Sequence, residues 1–584
     1  MTTRWKWTPF NDQELENRRQ LASALHIHPV VGSILTRRGV TTEQEARKFF
    51  RPSLKDLHNP LLMRDMPLAV ARINKALGAK EKIMVYGDYD VDGTTAVALV
   101  YKGLRQTGCS EALLSYFIPD RYEDGYGVSF QSIDRAYEQG VKLIIVLDCG
   151  IKAIQEVAYA KEKGIDFIIC DHHTPADILP NAVAVLNPKR ADNSYPFTEL
   201  SGCGIGFKLL QALAIDNGIP LSSLNNLLEL CAISIAADLV SVMGENRILA
   251  YHGLKQLNKK PSPGIRGILA TCGLTYSDID MSDIVFKIGP LLNASGRMMS
   301  GSHTVDLLLS NSREEADEKC RAIIQYNEER KILDKDTTEE AFSMINECHL
   351  AEENKIIILY RAQWHKGVIG IVSSRIAEHY ARPVIILGGE GDSVSGSSRS
   401  IGGFDMYKAL DLHSHLLKDF GGHPYAAGLT LSQDLIPRFI EEITSYANKQ
   451  NNETSCSPVL NIDAEVALSQ LSNRLLKSIR QLAPFGPENV NPIFLTRHLY
   501  DNGGTRIVGK NKRHLKLEVT DAINRRYHLS AIAFGLASHY AHIKTQQPFS
   551  ICYTLEQNNY HGSNSLQMQV KDIKLDPAAE RTLE

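Results

Sequence analysis

Between Ile83 and Pro188 the chain alternates short apolar, β-rich runs with stretches of helix length. "KIMVYGD", "VKLIIVLD", "IDFIICD" and "AVAVLNP" read as buried strands, and "TTAVALVYKGLRQTG" after the first of them reads as a helix. Strands and helices in that alternation predict a parallel sheet with crossover helices.

The pattern then changes twice. Residues 221–258 read as helical, and from Asn311 to His349 there is neither Gly nor Pro, with Ile323, Ile324, Ile332 and Leu333 at helical spacing among charges. That predicts a long connecting helix. A second α/β unit follows in "KIIILY", "RPVIILGG" and "SVSGSSRSIGGFD", ending near "FGGHPYAAG". After the polar stretch "NKQNNETSCSP" come a helical segment, the turn "LAPFGPEN" and short runs such as "HLKLEV", "YHLSAIAF" and "FSICYTL", a spacing that predicts a small β-barrel. The expected organisation is a helical segment over 1–55 with no identifiable chemistry, a catalytic α/β domain over 56–310, the connecting helix over 311–349, a second α/β domain over 350–447 and the barrel over 459–584.

Composition changes this picture little. At 584 residues, about 150 per domain predicts three or four units. With 43% hydrophobic and 22% charged residues, the chain is ordinary globular material. No apolar stretch approaches the ~18 residues of a membrane span, and "MTTRWKWTPF" has no signal-peptide core, so a cytoplasmic protein without membrane partners is expected. Ten cysteines without a C-x-x-C pair argue against a zinc ribbon or a disulfide framework. A net charge of -3 does not announce a nucleic-acid binder, but phosphate contacts need only a local basic groove.

The chemistry sits where the apolar runs end. "YGDYDVDGTT" sets Asp88, Asp90 and Asp92 at alternate positions on a strand-to-helix turn, where like charges repel unless a cation lies between them. An EF-hand loop is excluded: counting from Asp88, the twelfth position is Leu99 rather than a bidentate Glu, and no helix precedes it. Asp148 and Asp171 end two further runs, at the carboxyl edge where open α/β sheets bind ligands. His172 and His173 follow Asp171 directly, one expected toward a metal and one toward a phosphate. Carboxylates with one or two imidazoles suit Mn²⁺, or Mg²⁺ where carboxylates dominate. Asp238 stands in the apolar context "ISIAADLVSV" and needs a partner, whether a core hydrogen bond or a metal. The glycine-rich "SGCGIGFK" has no clear strand before it, so a tight turn opening a helix is favoured over a nucleotide loop. The one dense basic cluster, "TRIVGKNKRHLK" with the pair Arg525 and Arg526, lies in the barrel region, where it is either a solvated face or a phosphate track of Arg506, Lys510, Lys512, Arg513 and Lys516.

"GDYDVDGTT", "VLDCG", "CDHHT" and "AADLVSVMGENR" resemble, in order, the four motifs of the DHH phosphoesterase superfamily. "PLLNASGRM", "WHKGVIGIVSSRIAE" and "FGGHPYAAG" further resemble its RecJ branch and the DHH-associated domain, and "LAPFGPENVNPIF" extends the likeness. The resemblance implies a parallel-sheet DHH domain, a second α/β domain and an oligonucleotide-binding (OB) type of barrel. It also implies a metal-dependent 5′→3′ exonuclease releasing mononucleotides from single-stranded DNA in repair and recombination. By that resemblance the metal ligands fall on Asp90, Asp92, Asp148, His172 and Asp238, with Asp88 and His173 beside them; Asp90, Asp92, His172 and His173 are the catalytic candidates, with one or two Mn²⁺ or Mg²⁺ ions. Arg121, Ser397 and Arg399 are expected at the 5′ end and Arg297 nearer the cut, with His365 and His423 as further strand contacts. A single-stranded-DNA-binding protein and a helicase are the implied protein partners. Short DHH pyrophosphatases and dinucleotide hydrolases are the rivals, along with an inactive scaffold on the same fold. The barrel argues against the short enzymes, and the complete set of acids against the scaffold.

Overall fold

The computed structural model describes residues 3–121, 124–391, 393–401, 403–450, 459–521, 527–558 and 565–576. It divides into two compact units, one made of Met1–Leu57, Leu239–Tyr251 and Ser457–Glu584, the other of His58–Asp238 and His252–Cys456.

The larger unit contains the parallel sheet: β1 (Lys82–Gly87), β2 (Leu114–Phe117), β3 (Val141–Leu147), β4 (Asp166–Cys170) and β5 (Ala184–Leu186), in the order β2-β1-β3-β4-β5. Each pairing is parallel. The strands read as unbroken apolar runs because both faces are covered: five of the six residues of β1 and six of the seven of β3 are buried. Met84, Tyr86, Ile144, Val146 and Phe167 share one core on one side, each such side chain contributing roughly 1.5–3 kcal/mol of burial. Helices α1 (Val91–Gln106), α2 (Gly202–Asp216) and α3 (Leu228–Ala237) belong to the same domain. Strand β2 is absent from the sequence expectation. It lies at the sheet edge with three of its four residues only half-buried, so it lacks the apolar run that marked the other four.

After α4 (Gly289–Met298), helix α5 runs unbroken from Arg313 to Glu347, inside the span predicted for the connecting helix. The second sheet comprises β6 (Ile357–Arg361), β7 (Val384–Gly388), β8 (Val394–Arg399), β9 (Asp419–His423) and β10 (Ala426–Leu431), ordered β9-β10-β8-β7-β6, with α6 (Lys366–Tyr380) between β6 and β7. Along β8 burial alternates strictly, so Ser397 and Arg399 share the less buried face.

In the smaller unit, β11 (Ala464–Glu465), β12 (Phe494–Asp501), β13 (Arg506–Val508), β14 (His514–Asp521), β15 (His528–Ala533), β16 (Phe549–Asn558) and β17 (Ser565–Leu575) form one sheet, which the β12–β14 pairing closes into a barrel. Residues expected to form a separate helical segment share its core: Leu21, Val31 and Ile34 are buried in one cluster with Leu475, Phe494, Leu515 and Phe549. Residues 239–251 also join this unit rather than the catalytic region. Val242 N donates to Pro487 O at 2.9 Å, and the Arg247 guanidinium donates to Phe49 O and Ala483 O at 3.0 and 2.9 Å.

Candidate metal centre

The first acidic turn follows β1. Asp90 is the N-cap of α1 and accepts a hydrogen bond from Gly93 N at 3.0 Å, which places Asp88, Asp90 and Asp92 around a helix N-terminus whose dipole favours negative charge. Glycine is required at 93, because a Cβ there would lie 2.4 Å from Asp88 O.

Asp148 follows β3 in a left-handed conformation, φ 61°, and is buried. Helix α2 starts against it: a Cβ on Gly202 would stand 2.6 Å from Asp148 Cβ. The first amides of α2 grip Asp92, with Gly202 N donating to Oδ2 at 2.7 Å and Cys203 N to Oδ1 at 2.8 Å. Ser234 Oγ on α3 donates to the same Oδ1 at 2.7 Å. The "SGCGIG" segment is thus the helix-opening turn predicted for it, with Ser201 as N-cap, and the anion it holds is the protein's own carboxylate.

His172 occupies the middle of the cluster. Its Nε2 is 3.1 Å from Asp148 Oδ1, 3.5 Å from Asp238 Oδ2 and 3.9 Å from Asp92 Oδ2. Three groups of side chains each bring donor atoms within 4.8 Å of one another: Asp88, Asp90 and Asp148; Asp92, His172 and Asp238; and Asp148, His172 and His173. Asp171 does not share this geometry. Its carboxylate accepts from His173 Nδ1 at 2.7 Å, His173 N at 3.0 Å and Ile151 N at 2.9 Å, so it orients the turn instead of delivering a third strand's acid to the crevice.

The donor set fits a hard divalent cation. Burial, followed by the charge of Asp90, pushes the pKa of Asp88 well up; burial, followed by the charges of Asp92, Asp90 and Asp238, does the same to Asp148. Asp238 rises to about 8 for the same reasons. Asp88 Oδ1 is buried without a hydrogen bond, and Asp148 Oδ1, though close to His172, lies outside hydrogen-bond geometry. Buried carboxylates that repel one another and lack donors call for a cation among them. The two histidines differ. Burial lowers the pKa of His172 despite nearby Asp92, leaving a neutral imidazole, whereas on His173 the hydrogen bond and charge of Asp171 outweigh burial and raise it to about 9.

Beside the acids stands a group of arginines. The Arg121 guanidinium lies 4.2 Å above the Tyr89 ring, with Nε buried and without a hydrogen bond. Arg297 donates to Gly367 O at 3.3 Å, and burial together with Arg121, Arg330 and Arg399 lowers its pKa to about 10. Arg399 donates to Ser398 O at 2.7 Å and Ser397 Oγ at 3.4 Å, while a Cβ on Gly370 of α6 would lie 3.1 Å from Ser397 Oγ. Arg121, Arg297, Ser397 and Arg399 therefore converge, and Arg330 of α5 joins them unannounced by any motif. His365 serves as the N-cap of α6, its Nδ1 accepting from Gly367 N at 3.1 Å. His423 ends β9 and is exposed.

On the barrel, Arg506 and Lys516 pair directly across β13 and β14, and Lys510, Lys512 and Arg513 fill the exposed turn between them. Phe534, 57% exposed, packs edge-on against His514 at 5.3 Å. Arg525 and Arg526 lie outside the described residues. Sequence reasoning missed Ser234, whose signal is a hydroxyl among the apolar residues of the last turns of α3.

Comparison with known proteins agrees with this architecture. Residues 82–235 match the DHH family, N-terminal domain; residues 353–449 match the DHHA1 domain; and residues 462–572 match the RecJ OB domain. The single-stranded-DNA-specific exonuclease RecJ of Bacillus subtilis is 34% identical over 95% of this chain and 69% of its own length. That of Salmonella typhimurium is 32% identical over 93% of this chain and 96% of its own. The crystal structure of RecJ in complex with Mn²⁺ from Thermus thermophilus shares the fold, with a TM-score of 0.82 at 24% identity, covering 98% of this chain and 80% of that one. A crystal structure of exonuclease RecJ bound to manganese gives 0.59 at 30% identity over 68% of this chain and 98% of that one. With its acids, its two α/β domains and its barrel, and with that identity over nearly its whole length, the chain belongs to the RecJ family of single-stranded-DNA-specific exonucleases.

Proposed function

We propose that this chain hydrolyses single-stranded DNA from the 5′ end, releasing mononucleotides, at a centre formed by Asp88, Asp90, Asp92, Asp148, His172 and Asp238. The observation that carries the reading is the juxtaposition of two groups in one unit: an acid and imidazole cluster, and a half-buried arginine group close enough that Asp90 acts on the pKa of Arg297. Mn²⁺ or Mg²⁺ held there supplies Lewis acidity at a phosphoryl oxygen and lowers the pKa of water. Neutral His172 offers a lone pair toward the cluster. Cationic His173, fixed by Asp171, is placed to offset charge on a phosphate oxygen.

Polarity needs a group that recognises a terminal phosphate, which carries more charge than an internal one. Arg121, Ser397 and Arg399 supply guanidinium and hydroxyl donors for it, with Arg297 nearer the cut and His365 and His423 bordering the strand. The barrel's Arg506, Lys510, Lys512, Arg513 and Lys516 supply sequence-independent phosphate contacts. A strand opened by a helicase and coated by a single-stranded-DNA-binding protein is the substrate form in which those two partners enter this proposal. Among the described residues no helix is long and apolar enough to cross a membrane.

The test is product analysis of a 5′-labelled single-stranded oligonucleotide with Mn²⁺. Labelled mononucleotide as the first product is the expected result; hydrolysis of dinucleotides alone, or labelled products of intermediate length, defeats the reading.

A further inference from the structure

The acidic cluster has basic residues toward both edges of the sheet, and the arginines stand toward one. Arg121 follows β2, at one edge of the sheet. Lys152 and Lys189 follow β3 and β5, on either side of the strand that carries His172. Both are tied to that strand's histidine turn. Lys152 adjoins Ile151, whose amide is held by Asp171 at 2.9 Å. Lys189 N donates to Asn187 Oδ1 at 2.7 Å, and Asn187 Nδ2 donates to His173 O at 2.8 Å, so one fully buried amide side chain bridges the lysine's turn and the histidine's.

Neither lysine has a carboxylate within ion-pair distance among the described residues, although acids are dense nearby. Lys189 bears on His172 and Asp238, and after burial the charges of His173, Lys152 and Lys189 lower the pKa of His423 in the second α/β domain. Two lysines thus follow the strands on either side of the one that carries His172, at the sheet edge that bears the acids and without an ion pair to a described carboxylate, an arrangement a phosphate completes.

We propose that Lys152 and Lys189 form a downstream subsite that takes the first phosphate beyond the scissile one. This rests on the reading that the 5′ end sits among the arginines: a strand whose end is held on that side and whose scissile phosphate lies at the acids continues toward the lysines. The subsite makes cleavage sensitive to charge at one particular linkage, and it favours a strand over a dinucleotide, which has no phosphate to place there.

The experiment uses 5′-phosphorylated trinucleotides with Mn²⁺, following release of the first nucleotide. One has natural linkages and the other a neutral methylphosphonate at the second linkage. The full-length protein should lose about 10-fold or more in kcat/KM on the neutral linkage. The double variant Lys152→Ala/Lys189→Ala should lose a similar factor on the natural trinucleotide but little further on the methylphosphonate, because the two changes remove one contact. A variant that discriminates as well as the parent overturns the inference. If the double variant fails to fold or to bind Mn²⁺, a methylphosphonate scan of a pentanucleotide with the unaltered protein decides: a drop at the second linkage exceeding that at the third and fourth supports the subsite, and a flat profile overturns it. Failure to release a 5′-terminal nucleotide from the natural strand would instead defeat the functional reading on which the subsite rests.

Discussion

The Ser234 hydroxyl donates to Asp92 Oδ1 at 2.7 Å and stands 2.6 Å from the Ser201 hydroxyl, joining a metal-site carboxylate to the N-cap of helix α2. With the Gly202 and Cys203 amides on the same carboxylate, Asp92 is held in one orientation. Ser234→Ala should therefore raise the Mn²⁺ concentration needed for half-maximal activity by roughly 10–100-fold, the usual scale for a group supporting a ligand. Activity should largely return at saturating metal. An unchanged metal titration would show the hydroxyl to be structural only.

Asp148→Asn tests the cluster itself. It removes a carboxylate that its neighbours repel, and Asn tolerates the left-handed backbone at that position. Hydrolysis should fall at least ~1,000-fold, since the ion's charge is misplaced at the phosphoryl group. The chelator-treated variant should melt higher than the chelator-treated parent, by roughly 1 °C for each kcal/mol of repulsion relieved in a unit of this size. Near-parental activity at saturating Mn²⁺ would refute the assignment.

Gly202→Ala should also damage the site, through crowding: the added methyl falls 2.6 Å from Asp148 Cβ and 2.7 Å from its Oδ1. Either α2 or the Asp148 turn must shift. The expected outcome is weaker Mn²⁺ binding by calorimetric titration, with circular dichroism close to the parent's.

Arg399→Ala should abolish most of the preference for a 5′-phosphorylated over a 5′-hydroxyl strand while leaving Mn²⁺ affinity within a few fold. Among the described residues the guanidinium donates hydrogen bonds to Ser397 and Ser398 and pairs with no carboxylate, and burial lowers its pKa, so it is a donor suited to an anion. Equal discrimination by parent and variant would place terminal-phosphate recognition elsewhere.

Arg506→Ala/Lys516→Ala removes one cross-strand pair of like charges from the barrel. If both contact phosphates, the slope of log binding constant against log salt for a long single strand should become shallower by about 1.4, at ~0.7 per contact. An unchanged slope would leave the pair as solvated surface.

What the sequence alone determined is local. The apolar runs placed β1, β3, β4 and β5, and acids or histidines of the site fell at the ends of the first three, because burial on both faces of a parallel sheet writes itself as an unbroken run and the functional turn comes next in the chain. The order of motifs carried the family. What remained for the tertiary structure was which faces meet. Strand β2, half-buried at an edge, has no apolar signature, and Asp171, indistinguishable in sequence from Asp148, turns to its neighbour His173. Ser234 reaches Asp92 from 142 residues away, and Leu21 and Ile34 find their core with Phe494 and Phe549, more than 450 residues on. Periodicity records that a side chain is buried, not against what: hydrophobic burial is non-directional, and the partner is chosen by packing across the assembled chain.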